Sequence, residues 1–157
     1  MKPTVYVETT IISYLTALPS RDLIIAGHQQ VTHEWWQTTR YDFAVVSSQL
    51  VVREAGDGDP AAAQARLALL GELTLLGITE EALALARHIL QTGAIPASFP
   101  EDALHVAVAV VNGIEYLLTW NYKHLANAGM RGKIEAACRD LGYVAVIICT
   151  PEELMEV

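Results

Sequence analysis

The segment SFPEDALHVAVAVVNGIEYLLTWN, residues 98–121, gives the strongest indication of the fold. Positions 103–113 are almost wholly apolar, which predicts a helix that is buried nearly all round. Ser98 and Glu101 have the spacing of a capping box, which predicts that this helix starts at Ser98. The next run, 115–119, has the pattern of a strand and is followed by Asn121. A buried helix that leads straight into an apolar strand is typical of α/β proteins.

Apolar strand patterns and helical patterns alternate along the rest of the chain. Because the strand patterns are almost continuously apolar, they suit parallel strands that are covered on both faces. The other strand patterns are Thr4–Val7, Phe43–Val46 and Tyr143–Ile148, with a weaker one at Leu73–Ile78. The other helical patterns are Asp22–Thr39 with Ile24, Val31 and Trp35 on one stripe, Pro60–Glu72 after a cap at Asp59, and Glu80–Gln91. We predict a single α/β domain, 1–157, in which a central parallel sheet of four or five strands is flanked by helices.

The composition restricts the classes of function. The chain has 157 residues and a formal net charge of −8, which gives it no general attraction for nucleic acid. A bound metal ion reverses the sign of the field locally, so this charge does not exclude a nuclease. No uncharged run is long enough to span a bilayer, and two cysteines cannot build a disulfide framework. We therefore expect a cytoplasmic protein with no membrane segment.

Three carboxylates and one amide stand where apolar elements begin or end. Glu8 follows the first strand and Asn121 follows the strand at 115–119. Asp102 opens the buried helix, and Glu54 lies in a helix-like segment after the second strand. Ligands of open α/β sheets bind outside the carboxyl ends of the strands, and buried carboxylates normally pair or bind a metal. Since oxygen ligands suit Mg²⁺ or Mn²⁺, the joint placement indicates a site for such an ion.

Threonines beside these residues would complete such a site. The hydroxyl groups of Thr9, Thr10 and Thr119 are placed to hydrogen-bond a ligand carboxylate or a metal-bound water. Partners of this kind orient the ligands of metal sites.

Each of the four residues, taken alone, also fits an ordinary structural role. Glu8 would cap the following turn or pair with an arginine. Asp102, in a first helical turn, would interact favourably with the helix dipole by ~0.3–1 kcal/mol. Glu54 alone is typical of a solvated helix, and Asn121 alone is typical of a turn. Only the four together favour a metal site.

Four blocks of the sequence resemble the PIN-domain nucleases, and particularly the VapC-like toxins of toxin–antitoxin pairs. The blocks are VYVETTIISYL (5–15), VVSSQLVVREA (45–55), DALHVAVAVVNGIEYLLTWNYKHL (102–125) and VIICTPEEL (146–154). The resemblance implies a PIN-like sandwich and a metal-dependent ribonuclease whose acids gather in a central groove. The family's four acidic positions fall on Glu8, Glu54, Asp102 and Asn121.

Two of these positions depart from the family's pattern. The first is normally aspartate, so Glu8 adds a methylene, and the fourth is normally an acid, so Asn121 keeps an acceptor oxygen without the charge. One bound ion is therefore expected rather than two. The resemblance implies that Glu8 and Asp102 bind Mg²⁺ or Mn²⁺ directly and that Glu54 binds through water or positions the attacking water. Asn121 and Thr119 would orient water or phosphate.

The resemblance also implies partners. These are an RNA substrate, a second copy of the chain in a homodimer, and a small antitoxin protein that lies across the groove. Lys123 and His124 are candidate contacts to RNA phosphates, with a solvated helix start as the alternative. We interpret His105 as a helix residue hydrogen-bonded near the site rather than as a metal ligand. A rival hypothesis is a PIN-like interaction protein that has lost activity and only binds an antitoxin-type partner, which the uncharged Asn121 would allow.

Overall fold

A parallel sheet forms the centre of the protein in the computed structural model, which describes residues 1–155. Within these residues the strands are β1 (Thr4–Val7), β2 (Ala44–Ser48), β3 (Thr74–Leu76), β4 (Tyr116–Leu118) and β5 (Ile147–Cys149). They form one sheet in the order β3-β2-β1-β4-β5, and every neighbouring pair is parallel. The predicted α/β class and the number of strands are confirmed, and the weak pattern around β3 is a strand.

Helices connect the strands, as parallel pairing requires. The α-helices are α1 (Thr9–Thr16), α2 (Leu23–Gln37), α3 (Gln49–Ala55), α4 (Pro60–Leu70), α5 (Glu80–Gln91), α6 (Pro100–Val111) and α7 (Ala128–Asp140). Short 3-10 helices lie at Thr39–Asp42 and Pro151–Leu154. Asp59 caps α4 as predicted, because its carboxylate accepts the N–H of Ala62 at 3.0 Å. None of the helices within residues 1–155 is long and apolar enough to cross a membrane.

The central strand β1 and the buried helix α6 determine where the polar residues Glu8 and Asp102 lie. Every residue of α6 from Ala103 to Val110 is buried, as its sequence predicts, and α6 packs against α5. These residues share one core with Val5, Tyr6 and Val7 of β1, which are fully buried. Because β1 lies between β2 and β4, the residue that follows β1 stands in the middle of the carboxyl edge of the sheet.

The predicted capping box at the start of α6 is wrong. The helix begins at Pro100, and its N-cap residue is Phe99, whose side chain makes no capping hydrogen bond. Proline suits the first helical position because its φ is already helical and it has no N–H to satisfy. The proline therefore sets the start of the helix, and Ser98 lies outside it.

Two further details differ from the sequence prediction. Ile24 does not lie on the buried stripe of α2, since it is 71% exposed while Trp35 is fully buried. The first turn of α2 extends beyond the core that Trp35 enters. The last strand is also shorter than predicted, because β5 pairs only with β4 and the register extends from Ile147 to Cys149.

Candidate active site

Glu8 is a buried carboxylate at the carboxyl end of β1. The residue is 5% exposed, and its N–H donates to the carbonyl of Leu118 in β4 at 3.1 Å. Its Oε1 accepts the N–H of Thr10 at 3.2 Å, which caps α1, and the hydroxyl groups of Thr10 and Thr119, both at 2.6 Å. Within residues 1–155 no Lys, Arg or His lies at ion-pair distance from Glu8. The side chain therefore caps a helix, but neutral donors alone hold it.

The oxygens of both hydroxyl groups also accept a hydrogen bond from the backbone just after β4. The N–H of Trp120 donates to Thr10 Oγ1 at 2.9 Å, and the N–H of Asn121 donates to Thr119 Oγ1 at 3.0 Å. Because each hydroxyl oxygen accepts from the backbone, its own hydrogen is free to point at Glu8. The chain direction after β4 thus fixes the position of this carboxylate.

Glu54 forms a second carboxylate position, in α3. Its Oε1 accepts the hydroxyl of Thr9 at 2.6 Å and lies 2.6 Å from Nε2 of His105. The Glu54 side chain is 30% exposed, whereas that of His105 is 1% exposed. Thr9 therefore holds Glu54, and its neighbour Thr10 holds Glu8. Two adjacent threonines connect the two acids.

The hydrogen bond between His105 and Glu54 favours the charged form of both side chains. Burial alone would raise the pKa of Glu54, but the hydrogen bonds from His105 and Thr9 and the charge of His105 outweigh it and lower the pKa. Burial alone would lower the pKa of His105, but its hydrogen bond to Glu54 and the charges of Glu8, Glu54 and Asp102 raise it. The negative charges of three acids therefore favour the protonated form of one buried imidazole.

Asp102 lies in the first turn of α6 and has partners on both oxygens. Oδ1 accepts the side-chain N–H of Asn121 at 3.1 Å, and Oδ2 lies 2.7 Å from Nδ1 of His124. The amide oxygen of Asn121 accepts the N–H of His124 at 3.2 Å. The ring of Phe99 packs on the imidazole of His124, with the ring centres 3.9 Å apart. Asn121 and His124 therefore orient Asp102.

The structure gathers the predicted site residues at the carboxyl edge of the sheet. Thr119 and Asn121 contact carboxylates, and their predicted roles toward water or phosphate stay predictions. Lys123 is exposed two positions after Asn121. The predicted RNA contacts of Lys123 and His124 likewise stay predictions, although His124 already binds Asp102 through one ring nitrogen.

The donor chemistry of the site fits a hard divalent ion. Glu8 and Glu54 each use Oε1 for their hydrogen bonds, and Oε2 of neither residue has a hydrogen-bond partner within residues 1–155. Buried Glu8 also has no cationic partner there, and a buried carboxylate normally needs a cation. Among the described residues, no group of three or more His, Cys, Asp or Glu side chains is placed to hold a metal ion by itself. Mg²⁺ needs no such cluster, because it keeps waters and binds one or two carboxylates plus phosphate.

Sequence reasoning did not identify Tyr6 and Ser48 as part of this site. The hydroxyl of Tyr6 lies 2.7 Å from Nδ1 of His105 and 2.7 Å from Oγ of Ser48. The signal was present, because a tyrosine within the fully apolar run Val5–Val7 has a hydroxyl that needs a buried partner. Its partner could not be inferred, since His105 lies far away in the sequence.

Thr119→Val should lower the free energy of unfolding. The change keeps the shape of the side chain but removes the donor to buried Glu8 and the acceptor for the Asn121 N–H. Leaving such groups unsatisfied costs about 1–3 kcal/mol. Urea denaturation should show this loss. Thr16→Val is the matched control, because the Thr16 hydroxyl binds only backbone carbonyls of its own helix. Equal losses in the two variants would contradict the role of Thr119.

The stability of the protein should depend on pH through the His105–Glu54 pair. The raised pKa of His105 stabilises the folded state below the ordinary value of 6.5, and this contribution is lost as pH rises through the folded-state pKa. The lowered pKa of Glu54 stabilises it above the ordinary value of 4.5, and this contribution is lost as pH falls through the folded-state pKa. Urea denaturation in chelating buffer measures the free energy of unfolding of wild type and of His105→Gln. The two values should differ most in the range from pH 4.5 to pH 6.5. A difference independent of pH would contradict a charged pair.

Comparison with known proteins identifies the fold. No family model matches the chain, and no curated protein matches its sequence. Among solved structures, the chain is similar to a chain in the crystal structure of VapBC2 from Rickettsia felis bound to a DNA fragment from their promoter. The two chains share 15% identity with a TM-score of 0.61, and the match covers 94% of this chain and 98% of that chain. The predicted PIN-like fold is thereby confirmed.

Proposed function

We propose that this PIN-like protein is a metal-dependent endoribonuclease and the toxin of a toxin–antitoxin pair. The observation that supports the proposal most strongly is the setting of Glu8. It is a buried carboxylate at the carboxyl edge of a parallel sheet, with three neutral donors and no cationic partner in the described residues. Such a position stabilises a protein poorly but suits a ligand of a hard ion.

Glu8 and Asp102 would hold Mg²⁺ or Mn²⁺, with Glu54 beside them. When bound, an ion of this kind polarises the phosphate and lowers the pKa of a water molecule. Because Asn121 brings an amide where an acid is usual, the site has charge for one ion rather than two. Asn121 instead holds Asp102 in place, at 3.1 Å.

The reaction is hydrolysis of an RNA phosphodiester bond. The oxygen of a water molecule forms a bond to phosphorus, the bond from phosphorus to the leaving ribose oxygen breaks, and that oxygen takes up a proton from solvent water. Glu54 positions this water and accepts its proton through Oε2, since Oε1 is already engaged by Thr9 and His105. Lys123, which is exposed beside the site, and His124 contact flanking phosphates of the strand. The positive charge of Lys123 matters, because the chain as a whole has a net charge of −8.

The proposed setting is cytoplasmic, in a homodimer that a small antitoxin protein silences. The similar chain from Rickettsia felis comes from a VapBC2 complex, which supports a partner of this kind here. The carboxylates at this edge of the sheet would attract a basic side chain of the antitoxin, which would compete with the metal ion.

Cleavage of single-stranded RNA by purified protein tests the proposal. We expect cleavage in the presence of Mn²⁺ and none after addition of a chelator. Protein that binds Mn²⁺ but cleaves no RNA would contradict the ribonuclease. It would favour the rival hypothesis, a PIN-like protein that acts only by binding an antitoxin-type partner.

A further inference from the structure

A line of buried hydrogen bonds leads from the core of the protein to Glu54. Ser48 Oγ accepts the N–H of Val51 at 3.2 Å and lies 2.7 Å from the hydroxyl of Tyr6. That hydroxyl lies 2.7 Å from Nδ1 of His105, whose Nε2 lies 2.6 Å from Oε1 of Glu54. Ser48, Tyr6 and His105 are each at most 1% exposed. Both ring nitrogens of His105 are therefore satisfied inside the protein.

The direction of the last hydrogen bond is fixed by chemistry. An ionised carboxylate can only accept, so Nε2 of His105 must carry a proton and donate it to Glu54. This holds for the neutral and for the charged imidazole. The hydroxyl of Tyr6 can donate to Nδ1 or accept from it, so it holds the ring in place in either state. The imidazole thus has one orientation toward Glu54.

The hydrogen bonds to Glu54 engage only one of its two carboxylate oxygens. His105 and Thr9 both bind Oε1 of Glu54, and Oε2 has no partner within residues 1–155. The Glu54 side chain is also 30% exposed, although its partner is buried. Hydrogen bonds from Thr9 and from buried His105 therefore hold one carboxylate oxygen of Glu54, and the other oxygen is left free to bind water.

We propose that His105, held by Tyr6, is a positioning residue that aims Oε2 of Glu54 at the attacking water. This inference rests on the proposed ribonuclease function and assigns a role to two residues outside its acids. His105 touches neither the phosphate nor the metal ion, and it acts only through Glu54. Its loss should therefore lower kcat and leave KM and Mn²⁺ affinity unchanged.

His105→Leu should lower kcat by about 10–100-fold, the usual effect of removing a group that orients a site residue. His105→Gln should recover part of this loss, because a glutamine amide can still donate to Glu54. Tyr6→Phe removes only one hydroxyl and should give a smaller loss, which keeps the inference testable if His105→Leu folds poorly. His88→Leu is the matched control, because His88 pairs with Asp140 on the surface at 3.0 Å.

A double-mutant cycle separates positioning from general destabilisation. Glu54→Gln combined with His105→Leu should cleave RNA as slowly as Glu54→Gln alone, since His105 acts through Glu54. A second readout needs no activity. In metal-free protein, NMR should detect a slowly exchanging Nε2–H of His105 that is lost in Glu54→Ala, because alanine removes the acceptor.

The outcomes separate the two proposals. Wild-type cleavage with unchanged kcat in His105→Leu, or additive losses in the double variant, would overturn the positioning role alone. Absence of the protected Nε2–H signal would overturn the hydrogen bond on which that role depends. No cleavage by wild type would overturn the ribonuclease, and with it any catalytic role of His105, even where the NMR signal is present.

Discussion

Glu8→Gln is expected to lower the rate of RNA cleavage by about 10²–10³-fold, the scale seen when one preorganised electrostatic group is removed from an active site. Glutamine keeps the length of the side chain, and its carbonyl oxygen can still accept the hydroxyl groups of Thr10 and Thr119. The change therefore removes mainly the charge that would hold the ion. Initial rates at saturating Mn²⁺ measure the effect.

Glu115→Gln is the matched control for this prediction. Glu115 is exposed and precedes β4, so it lies at the opposite, amino edge of the sheet. The control should cleave at the wild-type rate, and both variants should retain the wild-type melting temperature to within a few degrees. Equal activity of Glu8→Gln and wild type would mean that Glu8 only caps α1.

Leu117→Ala is expected to cost about 2–5 kcal/mol of the free energy of unfolding. Leu117 is fully buried in β4, which lies between β1 and β5. Truncation there leaves a cavity beside the strand that leads to Thr119 and Asn121. Because small proteins are stable by only about 5–15 kcal/mol, the variant should melt at a clearly lower temperature.

Leu18→Ala makes the same chemical change at a site that is 88% exposed. It should alter the free energy of unfolding by about 0.5 kcal/mol or less. Urea denaturation of both variants measures the contrast. Similar losses at the two positions would contradict the placement of β4 in the core.

Prediction from the sequence succeeded best for the helix that is buried on all sides. The run from Ala103 to Val110 is apolar at every position but one, which predicts a helix buried on all sides. The structure contains this helix as α6. The polar residues at the ends of β1 and β4 were found for the same reason, since a polar residue stands out against an apolar strand. The helix start at Pro100 was missed because a proline outweighed a capping pattern.

The sequence predicted that the threonines of the site hydrogen-bond a ligand carboxylate or a bound water, but it could not predict which carboxylate each one binds. Thr9 and Thr10 are adjacent, yet Thr9 binds Glu54 and Thr10 binds Glu8. Successive residues of a helix point in different directions, so Thr9 and Thr10 at the start of α1 contact different acids. The contact of Thr9 with Glu54 also depends on how closely α3 approaches α1. The contact of His124 with Asp102 likewise depends on the path of the chain after β4. The pairings of Thr9 with Glu54 and of His124 with Asp102 join residues that are distant in sequence.

Calorimetric titration of Mn²⁺ into purified protein tests the central claim most directly, because it reports the ion itself and needs no substrate. Asp102→Ala removes a proposed ligand, and Glu101→Gln removes an exposed carboxylate from the neighbouring position of the same helical turn. We predict saturable binding to wild type and to Glu101→Gln, and none to Asp102→Ala. Absence of binding to wild type at millimolar Mn²⁺, or undiminished binding to Asp102→Ala, would contradict a metal site among these acids.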